Sequence, residues 1–134
     1  MRITLDHAHL FASNLQATVD FFRTMFDAAI VHDAIGAGVR NVRLRIGTAF
    51  ILLYEQPPKA PRGGAFHHLG IATDDLDGLV AKMERAGHVF RNPVRQGEDF
   101  RYVMIEGPDE LLIELFEPRD PAKWEIAFEP SDRR

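Results

Sequence analysis

Hydrophobic and polar residues follow the same order in two successive blocks of the chain. In the first block, His7, His9 and Phe11 share one face of a predicted strand that spans residues 3–12. Spacings of four, three and four residues then predict the apolar stripe of a helix, formed by Leu15, Val19, Phe22 and Phe26. Strands are predicted next at residues 28–35, 39–46 and 49–55. The first block is therefore predicted to be a βαβββ unit.

The second block repeats this order. A strand is predicted at residues 66–73, and within it His67 is expected to point away from His68. The helix that follows is predicted to end at Gly87. Its apolar stripe consists of Leu76, Leu79, Val80, Met83 and Ala86. Further strands are predicted at residues 88–94, 100–106 and 111–117, with a polar loop at residues 95–99, which completes a second βαβββ unit.

The two blocks match position by position. His7 and His68 lie 61 positions apart, and each lies seven residues before an Asn or Asp, Asn14 or Asp75. The helix caps are predicted at Ser13 or Asn14 and at Asp74 or Asp75. Neither module can bury a curved four-stranded sheet alone, so tandem modules are expected to pair. The predicted fold is α+β, in which two βαβββ modules in tandem form a curved mixed sheet with a metal-binding cleft.

The domain boundaries follow from the same repeat. Residues 1–118 are predicted to be a single domain, in which module one covers residues 3–56 and module two covers residues 66–117. The Pro- and Gly-rich residues 57–65 are predicted to link the modules. Residues 119–134 are predicted to be a C-terminal tail.

Metal-ligating residue types recur at equivalent positions of the two modules. The first strands contribute His7 and His68, and the final strands contribute Leu52 and Glu114. Two imidazoles and one carboxylate can hold a divalent metal and leave one side of it open, and zinc enzymes use a similar set. The alternatives are that the histidines are structural, or that His9 replaces His7 as a ligand. An unpaired Glu in an apolar strand is costly, which favours the metal site.

Strand parity also predicts which side chains line the cleft. Asn41 and Arg43 are expected to face it, since Val42 and Leu44 face the other way. Inward-facing positions elsewhere are Leu52, Tyr54, Tyr102, Met104 and Phe116. An inward Arg43 would bind a carboxylate or enolate, whereas the alternative places Arg43 on a solvated sheet face. His9, Tyr54 and Tyr102 are the predicted acid–base groups.

Composition narrows the class of protein. The 134 residues carry a formal net charge of −4, which provides no electrostatic attraction for nucleic acid or an anionic membrane. There is no cysteine, so thiolate metal sites and cysteine nucleophiles are excluded. The N-terminus lacks the apolar run of a signal peptide, and the longest apolar run, Ala49–Tyr54, is too short to span a bilayer. A cytoplasmic protein with a small-molecule partner is expected.

The motifs at residues 6–10, 14–22, 68–76 and 107–116 resemble the vicinal oxygen chelate superfamily. This superfamily includes glyoxalase I, methylmalonyl-CoA epimerase, fosfomycin-resistance transferases, bleomycin-resistance proteins and extradiol dioxygenases. The resemblance implies a homodimer, and it implies ligands at His7, Leu52, His68 and Glu114. Leu52 departs from the Glu or Gln of glyoxalase I and the epimerase. Residues 95–102 lack the Lys- and Ser-rich pattern of the fosfomycin transferases.

The resemblance therefore implies a metal-dependent enzyme that acts on a small oxygenated substrate chelated to one divalent metal ion. Three protein ligands favour a dioxygenase-like reaction with Fe2+, and Mn2+, Zn2+, Ni2+ or Co2+ remain possible. One alternative is a glyoxalase-like lyase or isomerase, or a thiol transferase. The other alternative is a metal-free protein that binds or sequesters a drug and keeps the His and Glu side chains as a hydrogen-bonded cluster.

Overall fold

The computed structural model describes residues 7–36, 38–58, 66–124 and 126–128. The chain divides into two compact units, Met1–Pro61 and Arg62–Arg134. We call these units module one and module two. The division falls within the stretch predicted to be a linker, of which residues 59–65 lie outside the described part, as do residues 3–6 of the first predicted strand.

Module one has the predicted βαβββ order. Its elements are β1 (His7–Phe11), α1 (Leu15–Phe26), β2 (Ala29–Gly36), β3 (Val39–Ile46) and β4 (Ala49–Tyr54). The sheet has the strand order β1-β4-β3-β2, in which β1 runs parallel to β4 and the other pairs are antiparallel. It is therefore a mixed sheet with β1 and β2 at its edges.

The local sequence explains where α1 begins and ends. The Asn14 side-chain oxygen accepts a hydrogen bond from the Ala17 N–H at 3.0 Å, which satisfies one of the free donors of the first turn. The helix ends at Asp27, which adopts a left-handed conformation (φ 54°) and donates its N–H to the Phe22 carbonyl. Leu15, Val19 and Phe22 of the predicted stripe are buried, as are Val42 and Leu44 of β3, whereas Phe26 is only partly buried.

Module two repeats this architecture with a much shorter second strand, β6. Its elements are β5 (Leu69–Ala72), α2 (Leu76–Arg85), β6 (Arg95–Gln96), β7 (Phe100–Glu106) and β8 (Leu112–Pro118). The strand order is β5-β8-β7-β6, again with one parallel pair, β5 and β8. Asp75 caps α2 by accepting a hydrogen bond from the Gly78 N–H at 3.0 Å. The α+β class and the tandem βαβββ modules are thus confirmed.

One predicted strand and one predicted loop in module two are wrong. Residues 88–94 form no strand, and β6 instead lies at Arg95–Gln96, where a loop was predicted. Pro93 explains the difference, because proline has no N–H to donate to a sheet ladder. The Asn92 side chain takes over this role and donates to the Met104 carbonyl at 3.1 Å.

An arginine at equivalent positions ties sheet to helix in each module. Arg40 donates to Gln16 of α1 at 2.9 Å and pairs with Asp33 at 2.8 Å. Arg101, 61 positions later, pairs with Glu117 at 2.9 Å and with Asp77 of α2 at 3.2 Å. Glu117 also accepts a hydrogen bond from the Leu76 N–H at 3.3 Å, so it fixes the start of α2 directly.

The residues that follow β8 contact the loop before β7. The Arg119 N–H donates to the Asp99 carbonyl at 2.8 Å, and the Lys123 ammonium pairs with the Asp99 carboxylate at 2.9 Å. A short 3-10 helix lies at Pro121–Trp124. In the described part of the chain, no helix has the length and apolar character that crossing a membrane requires.

Candidate functional site

Glu114 lies in the middle of β8 and is partly buried. Its chain neighbours Ile113 and Leu115 are fully buried on the helix side of the sheet, so Glu114 projects from the opposite face. Across the sheet it is flanked by Gly70 and Met104, neither of which carries a charge or a side-chain donor. No described residue gives the Glu114 carboxylate a hydrogen bond or an ion pair. A carboxylate in this setting suits a bound cation.

His68 lies immediately before β5 and contacts its neighbour His67. The two Nδ1 atoms are 2.7 Å apart, and the rings are nearly perpendicular. The expectation that His67 points away from His68 is therefore wrong. The predicted strand at residues 66–73 begins only at Leu69, so the two-residue alternation of a strand does not apply to the histidines. If His68 donates from Nδ1, its Nε2 carries the lone pair that a metal ligand requires.

His7 and His9 lie on the same face of β1. The ring of His9 is packed between Phe11 and Tyr54, with centroid distances of 5.2 and 4.0 Å. Burial lowers the pKa of His9, and the neighbouring His7 charge lowers it further. His9 is therefore held as a neutral imidazole near pH 7, which is the form that accepts a proton.

The remaining module-one candidates lie on that same face. Arg43 is stacked over Phe50, with its guanidinium carbon 4.0 Å from the ring centroid. Leu52 is the direct strand partner of both His9 and Arg43. The Asn41 amide donates to the Gly36 and Val39 carbonyls at 3.0 and 2.9 Å, so it holds the β2–β3 turn and keeps only its oxygen for a ligand.

The module-two candidates share the face of Glu114. Tyr102 is paired with Phe116, and Met104 is paired with Glu114. The ring of Tyr102 contacts Phe100 at a centroid distance of 5.5 Å, and Phe100 in turn contacts Phe116 at 6.4 Å. These aromatic contacts make an apolar surface on the β7 and β8 strands beside the carboxylate.

Each module by itself thus gathers its predicted residues on one sheet face. Module one has His7, His9, Asn41, Arg43, Leu52 and Tyr54, and module two has Tyr102, Met104, Glu114 and Phe116. Among the residues that the structure describes, no three His, Asp or Glu side chains are grouped to hold a metal. Of the three predicted ligands, His7 belongs to module one, and His68 and Glu114 belong to module two. The complete set remains a prediction.

Two features of this region were not predicted as part of a site. One is the contact of His67 with His68. The other is a depression of about 510 Å3 beside Met104 that is lined by His88, Arg91, Asn92 and Glu106. Burial lowers the pKa of His88. Pro93 is the sequence signal that could have revealed this depression, since it prevents the strand that would otherwise cover the edge of β7.

The chain belongs to the Glyoxalase/Bleomycin resistance protein/Dioxygenase superfamily, whose family model matches residues 4–115. This is the vicinal oxygen chelate superfamily that the motifs resemble. A comparison with curated proteins gave no match.

Solved structures of low identity share the fold. The fosfomycin resistance protein FosX from Listeria monocytogenes is 21% identical with a TM-score of 0.70, and the match covers 87% of this chain and 94% of FosX. FosX has also been solved in complex with Mn(II) and sulfate. A superfamily domain from Frankia sp. EAN1pec is 16% identical with a TM-score of 0.75, covering 90% and 95% of the two chains. TnmS3, an antibiotic binding protein from Streptomyces sp. CB03234, is 21% identical with a TM-score of 0.73, covering 88% and 98%.

Proposed function

We propose that this protein is a metal-dependent enzyme that acts on a small oxygenated organic molecule. His7, His68 and Glu114 are its proposed ligands for one divalent ion. The observation that carries the proposal is Glu114, a partly buried carboxylate in an apolar strand without a partner among the described residues. Such a group is costly unless a cation satisfies it.

The donor set fits a first-row divalent metal. Two imidazoles and a carboxylate leave coordination positions open, and they suit Fe2+ first, with Mn2+, Zn2+, Ni2+ and Co2+ as alternatives. A bound ion would supply Lewis-acid stabilisation to two substrate oxygens. The contact with His67 supports His68 as a ligand, because a hydrogen bond at Nδ1 orients the ring and defines its tautomer.

The surrounding side chains have proposed roles of their own. His9 accepts a proton from the substrate at a ring nitrogen, since its lowered pKa keeps it neutral. The hydroxyls of Tyr54 and Tyr102 donate hydrogen bonds to substrate oxygens. Substrate contacts are proposed for Asn41, Arg43, Leu52, Met104 and Phe116.

A dioxygenase-like reaction is the favoured form of this proposal. Leu52 occupies the place of a fourth ligand in the lyase and isomerase branches, so three protein ligands leave room for both a chelating substrate and dioxygen. A glyoxalase-like lyase or isomerase, or a thiol transferase, is the alternative within the enzyme class.

A metal-free binding protein is the second candidate. It is favoured by the fold that this chain shares with the antibiotic binding protein TnmS3. In that case the imidazoles partner each other, and the apolar surface of Tyr102 and Phe116 holds the ligand.

Metal content separates the two candidates. The protein is purified without added metal, its metals are measured by elemental analysis, and it is then titrated with Fe2+, Mn2+ and Zn2+. We expect one ion per chain in the wild type and loss of that ion in His7→Ala, His68→Ala and Glu114→Gln. The matched controls are His32→Ala and Glu106→Gln, which should retain the metal. A wild type that binds no divalent ion tightly, or a His68→Ala variant with unchanged metal content, rejects the enzyme proposal.

Oxygen uptake then distinguishes the reactions. With the metal-loaded protein and a panel of catechols, consumption of dioxygen would support the dioxygenase form. Tight metal binding without oxygen uptake would favour the lyase, isomerase or transferase form.

A homodimer is proposed from the family resemblance. Light scattering after gel filtration should then give twice the 15.2 kDa mass of the chain. A mass of one chain at micromolar concentration would reject this assembly.

A further inference from the structure

We propose that the depression beside Met104 in module two is a binding site for a small zwitterion, in which Arg91 binds the carboxylate and Glu106 binds the ammonium group. The ligand class is an α-amino acid or a dipeptide with an apolar side chain. This site is additional to the proposed metal centre. Of the residues that line it, Met104 alone is also among the substrate contacts proposed above, so the two proposals can fail separately.

The depression lies along the part of β7 that β6 leaves uncovered. The short β6 pairs only with Arg101 and Tyr102, so the residues from Val103 to Glu106 have no described strand partner on that side. The volume of about 510 Å3 is within the range of about 300–1,000 Å3 that is usual for small-molecule sites. The open edge of β7 therefore leaves a depression large enough for an amino acid or a dipeptide.

The loop on the other side of the depression is held at both ends. The His88 N–H donates to the Met83 carbonyl at 2.9 Å, where the loop leaves α2. The Asn92 side-chain amide donates to the Met104 carbonyl at 3.1 Å and so joins the loop to β7 beside Arg91. A wall that is fixed before binding lowers the entropic cost of holding a ligand.

Arg91 and Glu106 bring opposite charges to the depression without pairing with each other. Among the residues that the structure describes, neither side chain has an ion pair or a hydrogen bond, so both can bind a ligand. His88 adds no charge near pH 7, because burial lowers its pKa. The lining thus carries one positive and one negative charge. A zwitterion satisfies both groups, whereas a singly charged ligand leaves one of them without a counter-charge.

Apolar side chains lie beside the two charges. Ile105 is buried and Leu112 is partly buried, and both line the depression. Val89 lines it as well and is 77% exposed, so its apolar surface is open to a ligand. Covering this surface favours a ligand with an apolar side chain, such as leucine, over glycine.

An NMR titration of the isotope-labelled full chain tests the proposal. The probes are leucine and leucyl-leucine, with N-acetylleucine as the analogue that lacks the ammonium group and leucinamide as the analogue that lacks the carboxylate. A chelator is present throughout. We expect saturable shifts of the backbone amides at residues 88–92 and 104–106. At least one zwitterion should bind roughly tenfold more tightly than either analogue, because each charge-assisted contact adds affinity. The tighter of the two zwitterions gives the length of the ligand.

Single variants should each remove one of the two contacts. Arg91→Met should weaken the binding of leucine and N-acetylleucine roughly tenfold and leave that of leucinamide unchanged, and Arg91→Lys should recover part of the loss. Glu106→Gln should weaken the binding of leucine and leucinamide and leave that of N-acetylleucine unchanged. The matched controls Arg23→Met and Glu98→Gln change the net charge equally outside the depression and should leave all binding unchanged. The NMR spectrum shows whether each variant is folded.

Three outcomes would overturn the proposal. These are no saturable shift with any probe up to millimolar concentration, zwitterions that bind no more tightly than both analogues, and an equal effect of Arg23→Met and Arg91→Met. A wild type that holds a metal but binds neither zwitterion would reject this site and keep the proposed enzyme. A wild type that holds no metal but binds leucine through Arg91 and Glu106 would reject the proposed enzyme and keep this site.

Discussion

Module one carries histidines and arginines on the sheet face opposite its helix, whereas module two carries the carboxylates Glu106 and Glu114 together with Arg95 on the matching face. The helix-side positions show no such difference, since Val42 and Leu44 correspond to Val103 and Ile105, and all four are buried. The duplicated fold has thus kept its core and let the other faces diverge. The buried residues on the helix side form the same kind of core in both modules, whereas the residues on the opposite faces differ in charge.

The difference extends to single positions. His9 corresponds to Gly70, Arg43 to Met104 and Leu52 to Glu114. In module two, the carboxylate of Glu114 is flanked by Gly70, which has no side chain, and by the apolar Met104. In module one, the apolar Leu52 is flanked by His9 and Arg43. The side chains around these equivalent positions therefore differ in charge between the two modules.

The largest expected effect concerns the shared core. Phe22 and Met83 occupy equivalent positions of α1 and α2, and both are fully buried. Phe22→Ala should lower the free energy of unfolding by about 3–5 kcal/mol and Met83→Ala by about 2–5 kcal/mol, because each leaves a cavity. Urea denaturation measures both losses, with the exposed Glu84→Ala as control. A loss below about 1 kcal/mol at either position would show that the cores are not equivalent.

The next effect tests whether the carboxylate can be moved from position 114 of module two to the equivalent position 52 of module one. It presumes the proposed metal site. Glu114→Leu should weaken metal binding more than about 100-fold, since losing only a hydrogen-bond partner of a ligand costs about 10- to 100-fold. Adding Leu52→Glu should not restore binding, because the strand neighbours of residue 52 are His9 and Arg43, whereas those of Glu114 are Gly70 and Met104. Metal titration of both variants is the measurement. Full recovery in the double variant would show that the two faces are interchangeable.

A smaller effect concerns the two arginines that join sheet to helix. Arg101→Met should destabilise the protein more than Arg40→Met, because Glu117 is 24% exposed and Asp33 is 38% exposed. Without Arg101, the more buried carboxylate loses its counter-charge while it still caps Leu76. Hydrogen exchange should report faster exchange at the start of α2 in Arg101→Met only. Equal exchange in both variants would contradict this difference between the modules.

The smallest effect is a pH dependence in module two. Burial lowers the pKa of His88 from 6.5, so the unfolded chain binds its proton more readily than the folded one. The stability that His88 contributes is complete above pH 6.5 and falls as the pH drops from 6.5 toward the lowered pKa. Arg91 and Glu106 line the same depression and set the local charge.

The variant His88→Gln should therefore flatten the loss of stability below pH 6.5. Thermal unfolding at several pH values, with a chelator present, measures it. The exposed His32→Gln is the matched control and should keep the wild-type pH dependence. An unchanged slope in His88→Gln would assign the acid sensitivity to other groups.

Most of the fold was predictable because the two modules share one sequence pattern, so that each element predicted in one module could be compared with its equivalent in the other. Both helices and the strands β3 and β7 follow from periodicity. Capping chemistry restricted each helix start to two neighbouring residues, Ser13 or Asn14 and Asp74 or Asp75, and the structure selects Asn14 and Asp75. The strand at residues 88–94 was mispredicted because its apolar residues outweighed Pro93. Pro93 cannot donate a backbone hydrogen bond to a neighbouring strand, and the pattern of hydrophobic residues does not reveal a missing donor.

For the candidate residues, the alternation of side chains along a strand predicted only the sheet face on which each one lies. Parity placed Arg43 and Tyr54 with His9 correctly, since all three lie inside regular strands. It failed at His67, which lies before the first residue of β5. The stacking of Arg43 on Phe50 and the amide bonds of Asn41 depend on side-chain rotamers, which alternation does not specify.

The outer edges of the two sheets also differ in how readily they can pair with a strand of another molecule. The outer edge of β2 is eight residues long, is paired with no described strand, and exposes Ile30, Val31 and Ile35, the last of them 74% exposed. The corresponding stretch of module two contains Pro93 and presents only two strand residues. Unpaired apolar edges template intermolecular sheets, and proline blocks them. Aggregation of this protein on heating or on concentration should therefore begin at β2. The substitution Ile35→Lys should delay aggregation.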